Sequence, residues 1–447
     1  MEKIKKTNLS TFSKIEYPKL LYSLVLIAVL SFFGGMNKLI PAVVLVAFIP
    51  LMFDPEYLIG PVFYSCMWNG HDIFTSGQTF ARYFIIFFIF SVVVNIIQKN
   101  RRIKVDFWFI TVVLGILLAL MLSAFGVYGY TSIPASYILN LMLFLVALYC
   151  PVKSKDLFKK QLWYFAILSL IYTTWFVLRN GFDAFEEGKL GSIDDVNTNG
   201  IGKILCIIAI VVFCHFLASG LQSRILHISM LLVSVLLLFL SGSRTSLLAF
   251  LIAAVICLLY WMKLNSRKII GTVIVIALVL LLFSYIYDYL VEAYPVLMER
   301  FTVEDTLEDG GTGRVAVWAS YMTRYFPKYF MFGMGFDPLN LFRAIESVNG
   351  IGHGAHNHII DILASTGVVG LALYIPMHIK GCKEGMQLAK RDAFAMVPFG
   401  VLIATLAIGI GENILRGRLL WFSVALIMLL KKLNEQEYAN LEGAKNK

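Results

Sequence analysis

The chain has 447 residues, 59% hydrophobic and 15% charged, with a formal net charge of +10 and a mean hydropathy of +0.78. A soluble domain carries roughly 25% charge, so this shortage of charge, combined with long apolar runs, excludes the soluble class and defines a membrane protein. Net positive charge is also a nucleic-acid signal, but here the excess sits in short loops, where it holds the cytoplasmic side of a membrane protein; no nucleic-acid partner is expected.

In hydrocarbon every backbone N–H and C=O must be paired internally, which leaves helices or closed barrels. The apolar runs do not alternate as barrel strands do. The fold class is therefore all-α, a polytopic bundle of transmembrane helices.

Lys3, Lys5, Lys6, Lys14 and Lys19 precede the first apolar run, and no small-residue cleavage site follows it, which predicts an uncleaved first anchor. Predicted spans lie at 20–34, 37–53, 80–98, 106–125, 132–150, 161–178, 201–219, 225–240, 245–262, 269–289, 358–379, 393–411 and 417–430. Placing the basic loops 99–104, 151–160, 261–268 and 380–391 and the Lys431–Lys432 tail in the cytoplasm gives one threading from residue 99 onward, with both termini cytoplasmic. Ahead of residue 99 an even number of crossings is needed. Three strong runs and a weaker one at Tyr57–Gly70 give 14 spans, or 12 if one run is re-entrant.

The chain reads as a single membrane domain over 1–447, with no internal repeat and two outer segments. The first, 179–200, is short and acidic (Asp183, Glu186, Glu187, Asp194, Asp195); the second, 290–357, is the largest polar stretch. Cys66, Cys150, Cys206, Cys214, Cys257 and Cys382 lie in or beside apolar runs or in an inner loop, so no disulfide and no Cys-rich metal site is expected.

The informative residues break the charge rule. Arg244 sits in the turn Ser241-Gly242-Ser243-Arg244-Thr245-Ser246, which the threading puts outside. Arg314 follows Gly311-Thr312-Gly313, and Arg416 and Arg418 lie in the last outer turn. A guanidinium at that depth is costly without a partner; each arginine could pair with an acidic neighbour or snorkel to headgroups. Its planar fork also grips phosphate oxygens, and several converging there would suit a pyrophosphate.

Residues 314–325 have helical spacing, with Arg314, Trp318 and Tyr325 near one face and Tyr321 beside them. Such a helix anchors at a membrane interface, and its aromatic face also suits a glycan groove. Gly333-Met334-Gly335 lacks the flanks of a dinucleotide site and predicts a turn or a close backbone approach. His353, His356 and His358 stand just before a span. Without cysteines or a His-x-x-Glu-His pattern a zinc site is disfavoured, and a general base, His356, is the sharper reading.

The Ser-Arg-Thr turn, the Gly-x-Gly-Arg…Trp segment, the Gly-Met-Gly turn and the His-Asn before Ile359–Gly370 occur in this order. Together they resemble the O-antigen ligase/Wzy polymerase-type family over roughly residues 195–380. The resemblance implies a polytopic glycosyltransferase related to the GT-C fold, independent of metal and of any cofactor, acting on glycans carried by undecaprenyl pyrophosphate. It assigns Arg244 and Arg314 to the pyrophosphate and makes His356 the essential residue beside the acceptor. Asn199, in the Asn199-Gly200 step, together with Arg179, Trp318, Asn357 and Arg416 are the accompanying substrate-binding candidates. The implied setting is the outer face of the bacterial cytoplasmic membrane, with a flippase and a chain-length regulator as possible partners in the bilayer.

Asn199-Gly200 and Glu412-Asn413 favour a polysaccharide polymerase, for O-antigen or capsule, over a ligase that hands the glycan to lipid A core or protein. A transporter or flippase is the alternative of another class. It is disfavoured because the spans read as uninterrupted and no repeated halves are found.

Overall fold

A computed structural model describes residues 17–34, 36–37, 39–68, 80–124, 135–179, 198–218, 224–264, 291–292, 295, 314–335, 355–415 and 417–445. The predicted span 269–289, the acidic residues of the 179–200 loop, His353 and Arg416 lie outside the described residues, as does the side chain of Arg314.

The apolar runs fold as helices. They are α1 (Tyr17–Phe33), α2 (Leu39–Ala47), α3 (Ile59–Met67), α4 (Phe80–Gln98), α5 (Phe107–Ala124), α6 (Ala135–Leu148) and α7 (Lys155–Arg179). They continue as α8 (Thr198–Ala218), α9 (Arg224–Leu240), α10 (Arg244–Leu264), α11 (Arg314–Ser320), α12 (His358–Ala389), α13 (Met396–Ile408) and α14 (Arg418–Lys445). Among the described residues, α5, α7, α8, α10 and α12 are long and apolar enough to cross a membrane. The protein is an all-α, multi-pass membrane protein.

The central pillar is α8, which packs against α7, α9, α10 and α13. Every residue from Ile204 to Val212 is at most 1% exposed, as an all-round apolar helix must be when other helices enclose it. On α10, by contrast, Leu248, Leu251, Val255 and Leu259 recur at helical spacing as an exposed apolar stripe, the surface a lipid-facing helix presents. Cys66, Cys150, Cys206, Cys214 and Cys257 are buried as free thiols.

The basic segments gather at one end. Lys155 pairs with Asp392 at 2.8 Å and Glu437 at 3.5 Å, Lys431 with Glu384 at 2.8 Å, and Lys153 with Glu56 at 3.2 Å. The 99–104 loop joins them where Tyr149 Oη donates to the Lys104 carbonyl. Lys19 meets Asp54 at 2.9 Å, so the chain returns to this basic end between α2 and α3. The weak run at Tyr57–Gly70 is helical only as α3, nine residues long and buried throughout. At 1.5 Å per residue it rises about 14 Å, half the thickness of a hydrocarbon core.

The largest departure from expectation is α12. The uninterrupted span read over 358–379 is broken at Gly367, whose φ of 63° and ψ of −161° are open to glycine alone. A straight helix would separate residues 358 and 378 by about 30 Å, yet the rings of His358 and His378 are 5.1 Å apart. The two arms of α12 therefore fold back on each other, and the short arm, 358–366, re-enters the bundle.

A break inside a membrane strands backbone groups, and it is tolerated only where protein satisfies them. Here the Gly-Met-Gly segment does so. The Ala364 and Ser365 carbonyls accept from the N–H of Met334 (2.7 Å) and Gly335 (3.1 Å), while the N–H of Val368 and Val369 donate to Phe330 (2.9 Å) and Met331 (3.2 Å). The close backbone approach expected of these glycines is what they provide. Helix α11 and the π-helical turn Tyr321–Tyr325 cover the same tip, burying Val317 and Tyr321 against Leu363 and Ala364. The predicted helix over 314–325 thus packs on protein with one face.

Candidate functional site

At the end of the bundle opposite the basic cluster, four segments distant in sequence converge on His356. Helix α13 has 13 residues and so rises about 20 Å of a roughly 30 Å hydrocarbon core before the chain turns. The chain then turns at 409–417, and the loop 355–357 is pinned onto that turn. His358 N donates to the Gly409 carbonyl at 2.7 Å, Asn357 Nδ2 to the Ile410 carbonyl at 3.2 Å, and Asn357 N to Asn413 Oδ1 at 3.3 Å.

Asn357 also caps α12, its Oδ1 accepting from Ile359 N at 3.0 Å and Ile360 N at 3.1 Å. An N-cap asparagine satisfies N–H groups that the helix cannot. Its amide is committed to holding the loop. Trp318 Nε1 donates to the Ala355 carbonyl at 2.6 Å, tying α11 to the residue before His356. Arg314 opens α11 one turn before Trp318.

Held from both sides, His356 adopts a φ of 45°, a left-handed conformation unusual for a residue with a side chain. Its Nδ1 lies 3.9 Å from Glu412 Oε2, and Lys203 Nζ lies 3.1 Å from the same oxygen. The imidazole is 37% exposed and the carboxylate 11%. Burial acts to raise the Glu412 carboxyl, but the His356 imidazole and the Lys203 ammonium outweigh it and bring it down to about 2. Glu412 is therefore an anion throughout the neutral range.

The Arg244 turn joins from the other side of Lys203. Gly242 closes α9 at a φ of 66°, the left-handed ending glycine permits. Ser243 Oγ then lies 3.2 Å from Asn199 Oδ1 and 2.9 Å from Ser246 Oγ. Gly202 allows this approach, because a Cβ there would sit 2.5 Å from Ser243 Cβ. Arg244 follows as the first, partly buried residue of α10. A cation at a helix N-terminus opposes the helix dipole, a local cost.

The structure thus links His356, Asn357, Trp318, Asn199 and the Arg244 turn at one end of the bundle. Arg179 is engaged elsewhere, its guanidinium 5.1 Å over the Trp175 ring. His358 turns inward, buried against His378, which separates it from His356. Lys203 is the member the sequence reading passes over, although a lysine inside an otherwise apolar span is the signal for it. Its partner Glu412 is 209 residues away.

Fold and site together define a polytopic membrane protein with a charged His–Glu–Lys cluster at one end of its bundle. The family model described as O-antigen ligase matches residues 228–375, from α9 through the broken α12. That match covers about a third of the chain, and the matched segment contains the Arg244 turn, Arg314, Trp318 and His356. Asn199, Lys203 and Glu412 come to the site from outside it. No curated protein and no solved structure matches the chain.

Proposed function

We propose that the protein is a glycosyltransferase that moves a glycan from undecaprenyl pyrophosphate to a hydroxyl acceptor at the outer face of the cytoplasmic membrane. The observation that carries this reading is that α8 links the Arg244 turn, through Asn199, to the His356 loop, through Lys203 and Glu412, with the turn and the loop both inside the segment that matches the O-antigen ligase model.

In the proposed step the acceptor oxygen attacks the anomeric carbon and the bond to the pyrophosphate oxygen breaks. The electron pair leaves with the pyrophosphate, and the hydroxyl proton passes to His356. Arg244 and Arg314 neutralise the charge that develops on the leaving group. Pyrophosphate already leaves well, so alignment and charge neutralisation are the protein's main tasks.

The polymerase form, with a second lipid-linked repeat unit as acceptor, is favoured by the Asn199-Gly200 and Glu412-Asn413 steps. The test is transfer by the purified full chain, without added metal, using lipid-linked repeat units from the host. A ladder of longer lipid-linked products that disappears in His356→Ala, Arg244→Ala and Arg314→Ala establishes the polymerase. Transfer only when lipid A core or a protein acceptor is added makes the protein a ligase. A folded protein that uses neither acceptor refutes the reading and returns the transporter alternative.

A further inference from the structure

The loop bearing His356 and the turn bearing Glu412 are stapled together. Three backbone and side-chain hydrogen bonds, from Asn357 and His358 to Gly409, Ile410 and Asn413, join residues on either side of the two side chains. The staple holds His356 Nδ1 3.9 Å from Glu412 Oε2, about 1 Å beyond an ordinary hydrogen bond. Nδ1 of His356 and Oε1 of Glu412 are both buried with no hydrogen-bond partner among the described residues. A buried polar atom left unpaired is costly, and a small closure of the two loops would pair the ring with the carboxylate. Catalytic hydrogen bonds are often long in an unliganded site and tighten when substrate binds.

A plain Lys203–Glu412 ion pair that docks α8 onto the 409–417 turn would not need the imidazole. It would leave Nδ1 unpaired beside a carboxylate and His356 in a strained φ of 45°. Strain of that kind persists where the surroundings over-determine a conformation, and here they aim the ring at Glu412.

We propose that Glu412 is the positioning residue of His356, accepting its Nδ1–H so that Nε2 faces the acceptor hydroxyl, with Lys203 setting how much of the carboxylate's charge the ring feels. The role rests on the glycosyl-transfer reading; the pairing itself does not. An imidazole accepts a proton at one nitrogen only when the other holds its hydrogen, so fixing the tautomer is a function in its own right.

The charged groups beside the ring are Glu412 from the 409–417 turn and Lys203 from α8 behind it, while Arg244 at the head of α10 reaches α8 through the Ser243–Asn199 contact. Asp361 and Arg418 are buried further along α12 and at the start of α14. Removing the Glu412 charge leaves the Lys203 cation unopposed and disfavours a protonated ring. Removing Lys203 unmasks the carboxylate and favours it. The two substitutions act with opposite sign, which no loss of packing does.

The test uses the purified full chain and follows ethoxycarbonylation of His356 by diethyl pyrocarbonate across pH, read by peptide mass spectrometry. The reagent attacks only unprotonated imidazole, so the readout needs no enzymatic activity. Glu412→Gln should move the midpoint to lower pH and Lys203→Met to higher pH, the opposite directions expected of removing an anion and a cation close to the ring. Glu412→Gln should also slow transfer on the order of a hundredfold at an unchanged KM for the lipid-linked donor, with partial recovery in Glu412→Asp. Should Glu412→Gln fail to fold, the Lys203→Met displacement alone decides. Midpoints that stay at the wild-type value in both variants overturn the pairing, whether or not transfer occurs. Opposite displacements in a protein that transfers no glycan uphold the pairing and sink the glycosyl-transfer reading.

Discussion

The indole N–H of Trp318 donates to the carbonyl of Ala355 at 2.6 Å, and Ala355 is fully buried. One side chain thus joins the large loop to the residue that sets the backbone of His356. Trp318→Phe keeps an aromatic ring and deletes only the donor, leaving a buried carbonyl unpaired at a cost of about 1–3 kcal/mol. If that cost appears as misplacement of His356, transfer falls roughly tenfold, the equivalent of 1.4 kcal/mol. The fall should come with a thermal midpoint in detergent only a few degrees lower. A transfer rate equal to wild type would mean that the loop 355–357 is held without Trp318.

The break in α12 depends on two glycines in different parts of the chain. A Cβ on Gly367 would lie 2.3 Å from the Met331 carbonyl oxygen, and one on Gly333 would lie 2.5 Å from Thr366 N. Both obstacles are backbone, so no side chain can swing aside, and both glycines have positive φ. Gly367→Ala and Gly333→Ala are each expected to cost about 3 kcal/mol or more, seen as poor yield and early melting in a thermal-shift measurement. Gly381→Ala is the control: its Cβ would meet Val424 methyls at 3.2 Å, and its melting should stay close to wild type.

These two glycines also mark where the sequence stops being legible. Spans, basic loops and fold class follow from local apolar runs and charge, because the bilayer acts on each helix separately. The break at Gly367 does not. It sits in Ser365-Thr366-Gly367-Val368-Val369, an apolar stretch that reads as continuous helix. What opens it is the backbone of residues 330–335, over thirty positions earlier in the chain. The same holds for the site. His356 and Arg244 stand out locally, one at a membrane boundary and one against the charge rule. Lys203 gains meaning only from Glu412, a contact across the bundle.

Gly202 lets the Arg244 turn lie against α8. In Gly202→Ala the new Cβ would sit 2.5 Å from Ser243 Cβ and 3.0 Å from Ser246 Oγ, so the turn must move outward and carry Arg244 with it. With Arg244 in the role proposed for it at the leaving pyrophosphate, a displacement of about 1 Å is enough for a hundredfold loss of transfer. The helix itself gains propensity from the change, so melting should be nearly unaffected. The double variant Gly202→Ala with Ser243→Gly relieves the clash and is expected to recover most of the activity. Failure of the double variant to recover would show that Gly202 acts on something other than the turn.

Glu412 gives the protein an acid-sensitive contact whose sign can be worked out. Its carboxyl is lowered from 4.5 to about 2 in the folded protein, so the folded state binds its proton less readily than the unfolded chain. The stability this contributes is complete above about pH 4.5 and is lost as pH falls towards 2. The thermal midpoint of the wild type should therefore fall on acidification through that window more steeply than that of Glu412→Gln, which has no proton to take up. Above pH 5 the two curves should run parallel, with the wild type higher by the ion pair to Lys203. That ion pair is partly exposed, with Lys203 35% accessible, so the offset should shrink in high salt. Parallel curves down to pH 2.5 would mean that Glu412 is not held as a buried anion, and the charge balance around His356 would have to be rebuilt without it.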